Sequence, residues 1–106
     1  MTRIEKGTTN VYADLGVPDA PGMLVKAQLA ARIAKIVGRR NLTQTRAAEI
    51  LGISQPKLSN ILRGRFRGVS ETKMLECLTR LGQDVQIVVR AAPRSRTMGQ
   101  VSVLTA

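Results

Sequence analysis

Thr43–Gly64 reads TQTRAAEILGISQPKLSNILRG, and this stretch decides the fold. After Thr43, the apolar residues Ala47, Ala48 and Leu51 recur at helical spacing. Gly52 stands where a left-handed residue ends a helix at little steric cost. The pattern restarts at Ile53-Ser54, and Leu58, Ile61 and Leu62 make a second apolar stripe. Two short helices joined by a tight turn are therefore predicted. Thr43 and Ser54 each suit an N-cap, accepting a hydrogen bond from a free N–H in the turn that follows. Leu42 with Ala47, and Ile53 with Leu58, fit hydrophobic staples. Pro56 falls in the first turn of the second helix, where its missing N–H costs nothing.

The residues left over on the second helix are Gln55, Lys57, Ser59, Asn60 and Arg63. A major groove admits one helix, and such side chains can pair with base edges there. The alternative is an ordinary solvated face. That reading is disfavoured because the helix follows another after only a Gly-Ile-Ser turn and is flanked by Arg63, Arg65 and Arg67.

The charge supports the same direction. Seventeen Lys and Arg against 7 acids give a net charge of +10 in 106 residues. Such an excess suits nucleic acid or an anionic membrane surface. Residues 54–70 hold four cations and no acid, whereas residues 1–20 hold two cations and three acids. No apolar run approaches the roughly 18 residues of a membrane span, and no signal-peptide pattern opens the chain. The length suits one compact domain. Its core must be aliphatic, since Phe66 and Tyr12 are the only aromatic residues. A single cysteine, Cys77, rules out an internal disulfide and fits a reducing cytosol. Within its helix it reads as a small buried hydrophobe.

Working outward, Met1 to Thr9 is polar and without period, and reads as a mobile arm. Asn10 to Gly16 suits one helical turn, packed on its own domain or docked on a partner protein. Asp19 is a good N-cap for a long helix over Ala20 to Gly38. Leu29, Ile33, Ile36 and Val37 supply its inner face; Lys26, Arg32 and Lys35 are expected outside. Gly38 or Asn41 should break it, with Arg39 and Arg40 near its end favoured by the helix dipole. On the far side of the motif, Gly64 to Gly68 reads as a loop, with Phe66 plugging the bundle edge. Ser70 caps a helix over Glu71 to Leu81, with Val69 and Met74 as a third staple and Met74, Leu75, Leu78 and Leu81 inward. From Asp84 the period becomes two: Val85, Ile87 and Val89 alternate with Gln86, Val88 and Arg90, predicting a strand. Ala91 to Gly99 reads as a loop and Gln100 to Leu104 as a weaker second strand. A lone strand or hairpin is unstable, so pairing of Val85, Ile87 and Val89 with a second copy of the chain is expected to cover the open edge.

Three units follow: residues 1–18, an arm with a short helical turn; residues 19–82, the helix-turn-helix unit; and residues 83–106, a strand or hairpin for dimerisation. Enzyme chemistry has nothing to stand on. The chain has no histidine, one cysteine and no phosphate-binding loop, which removes His-dependent triads, most catalytic zinc sites and CxxC redox chemistry. No catalytic residue, metal or cofactor is expected.

The core LTQTRAAEILGISQPKLSNILRG resembles the helix-turn-helix of the XRE (Cro/C1-type) regulators. With its flanks NVYADLGVPDA and GQDVQIVVRAAPRSR, the chain from about Asn10 to Val103 is similar to a subgroup that includes HigA-type antitoxins. The resemblance implies a mainly α, lambda-repressor-like bundle with a C-terminal strand or hairpin, and a homodimer. It also implies a cytoplasmic regulator that represses its own operon and neutralises a RelE/HigB-like toxin. A stand-alone repressor without a toxin, or an RNA- or protein-interaction module using the same basic face, is the alternative. For DNA, Gln55 is expected at base edges, its amide suited to adenine, with Lys57, Ser59 and Asn60 as further base contacts. Thr43, Thr45, Arg46, Arg63, Arg65 and Arg67 are expected at phosphates, which position without reading sequence. The resemblance places Gln44 against the backbone and beside Gln55. A dimer of this kind spaces its two recognition helices by about 34 Å, which calls for an inverted-repeat operator.

Overall fold

The computed structural model describes residues 2–3 and 20–105. The expected N-cap Asp19 and the turn over Asn10 to Gly16 lie outside the described residues. Four helices follow in order: α1 (Ala20–Arg39), α2 (Gln44–Leu51), α3 (Gln55–Leu62) and α4 (Glu71–Arg80). Two short strands, β1 (Thr2–Arg3) and β2 (Leu104–Thr105), pair antiparallel, with Thr2 opposite Thr105 and Arg3 opposite Leu104. The architecture is the mainly helical, lambda-repressor-like bundle with a C-terminal strand that the family resemblance implies.

The helix starts repeat one device. Thr43 Oγ1 accepts from the Arg46 N–H at 3.1 Å, Ser54 Oγ from Lys57 at 3.3 Å and Ser70 Oγ from Lys73 at 3.1 Å. Each hydroxyl satisfies one of the N–H groups that a helix start leaves without a partner. The helix ends repeat another. A left-handed residue closes each helix, and the next N–H returns to a carbonyl five residues back: Leu42 to Val37, Ile53 to Ala48, Arg65 to Asn60 and Gln83 to Leu78. This is the Schellman closure. After α1 the left-handed residue is Asn41, φ 51°, so of the two expected breakers Asn41 acts and Gly38 stays within the helix.

α1 runs through the middle and packs against α4 and α3. Leu29, Ile33, Ile36 and Val37 face inward as expected, joined by Met23 and Ala30. Leu51, Leu58, Ile61 and Met74 complete the core with no more than 2% of their surface exposed. Phe66 plugs the edge, and Leu42 and Ile53 pack as staple residues against the core. Cys77 is fully buried, and burial pushes its thiol above the usual range.

Three expectations change. Val85–Arg90 forms no strand pairing among the described residues; Val85 is half-buried, whereas Ile87 and Val89 stand in solvent. β-branched alternation prepares a face but supplies no neighbour, and a ladder needs one. The strand that does pair is β2, at the end of the weaker Gln100–Leu104 segment, and it pairs with β1 rather than folding back as a hairpin. Lys26, expected in solvent, is instead drawn into the bundle with its side chain 13% exposed. Gln28 on the same helix is also buried, its Oε1 accepting the Val103 N–H at 3.3 Å. That bond anchors the C-terminal segment on α1.

Candidate nucleic-acid interface

α3 is divided cleanly. Leu58 and Ile61 are buried, and Leu62 is half-buried. Gln55, Lys57 and Asn60 are exposed, as is the C-capping Arg63; Ser59 lies half-buried at the flank. Asn60 and Arg63, three residues apart, fall on one side of the helix, opposite Leu58 and Ile61. The outward face therefore presents amide donors and acceptors and cations, and no large apolar group.

α2 supports this face from the side. Thr45 Oγ1 donates to Gln55 Oε1 at 3.4 Å. The hydrogen bond makes Thr45 a neighbour of Gln55. Gln44 is exposed at the start of α2. Arg46 is exposed and pairs with Glu49 at 3.1 Å one turn along, a solvated contact of small energetic weight. Thr43 spends its hydroxyl on the helix cap.

The cationic loop after α3 has defined geometry. Phe66 and Val69 are buried, and the Val69 N–H donates to the Phe66 carbonyl at 2.9 Å. Arg67 and Gly68 are the two middle residues of that turn, and Arg65 and Arg67 are both exposed. Lys26 Nζ donates to the Arg67 carbonyl at 2.8 Å and lies 3.6 Å from the Glu71 carboxylate. Sequence reasoning missed this role for Lys26. Its one available signal was a cation three residues before Leu29, on the edge of the apolar stripe.

α4 braces the turn between α2 and α3. The Arg80 guanidinium lies so close that a Cβ on Gly52 would meet its Nη1 at 3.0 Å. Glu76 holds that arginine, its Oε1 3.3 Å from Arg80 Nε and its Oε2 3.4 Å from Lys73 Nζ. The hydrogen bond from Lys73, its charge and those of Arg80 hold the Glu76 carboxyl below its ordinary pKa. Val85, Ile87 and Val89 stand apart from this face by element, in the segment after α4. Among the described residues no group of His, Cys, Asp and Glu is placed to hold a metal ion, and no helix is long and apolar enough to cross a membrane.

This geometry, two capped helices with a polar outward face on the second, defines a helix-turn-helix protein. The comparisons agree: a family described as "Helix-turn-helix domain" matches residues 11–90. A solved structure assigned provisionally as an XRE family transcriptional regulator is 39% identical. It matches with a TM-score of 0.79 over 84% of this chain and 100% of its own. No curated protein matches significantly. The chain belongs to the XRE (Cro/C1-type) family of helix-turn-helix transcriptional regulators, which bind DNA and are not enzymes.

Proposed function

We propose that the protein represses transcription as a homodimer, with α3 of each copy in the major groove of an inverted-repeat operator. The observation that carries this reading is the partition of α3: Leu58 and Ile61 anchor it while Gln55, Lys57 and Asn60 are exposed. Gln55 reads a base edge, with Lys57, Ser59 and Asn60 around it. Thr43, Gln44, Thr45, Arg46, Arg63, Arg65 and Arg67 lie along phosphates. Such a regulator works in the cytoplasm, on the nucleoid.

Val85, Ile87 and Val89 form the dimer contact in this reading. Ile87 and Val89 are 79% and 91% exposed, and an apolar β-branched segment without a ladder partner among the described residues is suited to strand addition by a second copy. The resemblance of the flanks to HigA-type antitoxins extends the proposal: the dimer represses its own operon and neutralises a RelE/HigB-like toxin. Binding titrations on DNA from upstream of its own gene, against random duplex at several salt concentrations, test the DNA-binding core. Tighter binding to the upstream DNA supports it; equal binding to both contradicts a specific regulator. Co-expression with the neighbouring open reading frame tests the toxin. A stable complex with a small toxic ribonuclease supports the antitoxin role, and an unrelated, unbound neighbour leaves a stand-alone repressor.

A further inference from the structure

Lys26 occupies an unusual place for a lysine on a basic protein. Its side chain is 13% exposed, although a chain so rich in cations has ample surface for it. A lysine whose stem is covered by the bundle carries its ammonium to acceptors at the edge of the covering surface. Lys26 has two: the Arg67 carbonyl at 2.8 Å and the Glu71 carboxylate at 3.6 Å, itself 48% exposed. The carbonyl is the nearer and is part of the backbone, so the bond restrains the chain and not only a side chain.

The restrained peptide lies in the turn closed by Val69 and Phe66. That turn is held at three points: the buried side chains of Phe66 and Val69, and the Arg67 carbonyl between them. Arg67, in the middle of the turn, is exposed, as is Arg65 just before it. The ammonium of Lys26 is already engaged by the Arg67 carbonyl and the Glu71 carboxylate, which leaves it less available to a phosphate.

We infer that Lys26 is a positioning residue for nucleic-acid binding, fixing the turn that presents Arg67 to the phosphates. The inference rests on the assignment of Arg67 to the duplex backbone. Lys26 contributes to affinity through Arg67, so its loss and the loss of Arg67 are not independent.

A double-mutant cycle with the full chain and a random-sequence duplex tests this. Lys26→Met, Arg67→Ala and the pair are titrated against salt. Lys26→Met should weaken binding and lower the salt slope by about one, as for a lost phosphate contact. The double variant should bind within about twofold of Arg67→Ala alone, the tolerance within which independent effects add. Lys26→Arg should restore binding. Amide hydrogen exchange provides a readout without DNA: Val69 should exchange faster in Lys26→Met, with Leu51 and Leu58 unchanged and Lys26→Arg like the wild type. Losses that multiply in the double variant, or an unchanged Val69 amide, would overturn the inference. A wild type that binds duplex DNA without salt dependence would sink the arginine assignment instead. The exchange at Val69 would still decide whether Lys26 holds the turn.

Discussion

Thr45 and Gln55 meet across the helix-turn-helix, the threonine hydroxyl donating to the glutamine amide oxygen at 3.4 Å. The bond is long and joins two exposed residues, so it orients more than it stabilises. It uses one lone pair of Oε1 and leaves the second lone pair and both amide N–H donors free. A free acceptor and donor side by side are what a bidentate contact with adenine requires. On the proposed docking, Thr45→Val should reduce discrimination at the base read by Gln55 by no more than about 1 kcal/mol. Random DNA should be bound somewhat more weakly as well, since the same hydroxyl lies along the phosphates in that docking. Titrations on matched and single-substituted duplexes measure both.

Gln55 and Arg65 should separate cleanly in their effects. Gln55→Ala should cost about 1–3 kcal/mol at the base it reads and relax sequence choice there. Arg65→Ala should weaken all sequences alike and flatten the salt dependence by about one unit of slope. Salt titrations on operator and random DNA compare them. Identical behaviour of the two variants would show the division of roles to be wrong.

Gly52→Ala should destabilise the fold by about 1–2 kcal/mol, the usual strain of a side chain in the left-handed region. Gly52 has φ 68°, and its Cβ position is 3.0 Å from the end of Arg80. The guanidinium is the far end of a flexible chain and can move aside, so the backbone strain decides the magnitude. Urea denaturation should show a lower midpoint with an unchanged slope.

These residues differ in how legible they were. Thr43, Ser54, Ser70 and Gly52 act on N–H and C=O groups within a few positions of themselves, so local sequence specifies them. The inward and outward faces of α3 follow from spacing alone. Lys26 and Arg67 are 41 positions apart; nothing local to Lys26 marks a carbonyl contributed by a distant turn. Gln28 is similar, a polar residue on a buried face whose partner Val103 is 75 positions away. The Thr45–Gln55 bond was hidden differently. Helix spacing leaves both Gln44 and Thr45 exposed at the start of α2, and only the crossing of the two helices brings Thr45 to Gln55. Val85–Val89 has the composition of a strand, yet alternation names a face without naming a partner. The pairing that does form spans two residues on each side, too short to carry any period.

Ile87→Lys with Val89→Lys should leave the fold of one chain intact, since both side chains are largely in solvent. In the proposed dimer, the charges would face each other at the contact. Sedimentation should then show the variant as a monomer at concentrations where the wild type is a dimer. Operator affinity should fall while urea stability at low protein concentration stays unchanged. A wild type that sediments as a monomer at all concentrations would remove Val85, Ile87 and Val89 from the dimer contact.

DNase I footprinting of the DNA upstream of the gene, with wild type beside a Gln55→Ala/Lys57→Ala/Asn60→Ala variant, tests insertion of α3 most directly. The wild type should protect an inverted repeat whose half-sites are about 10–10.5 base pairs apart, one helical turn, and the triple variant should protect nothing at the same concentration. Equal protection by the two proteins would contradict the reading of DNA by α3.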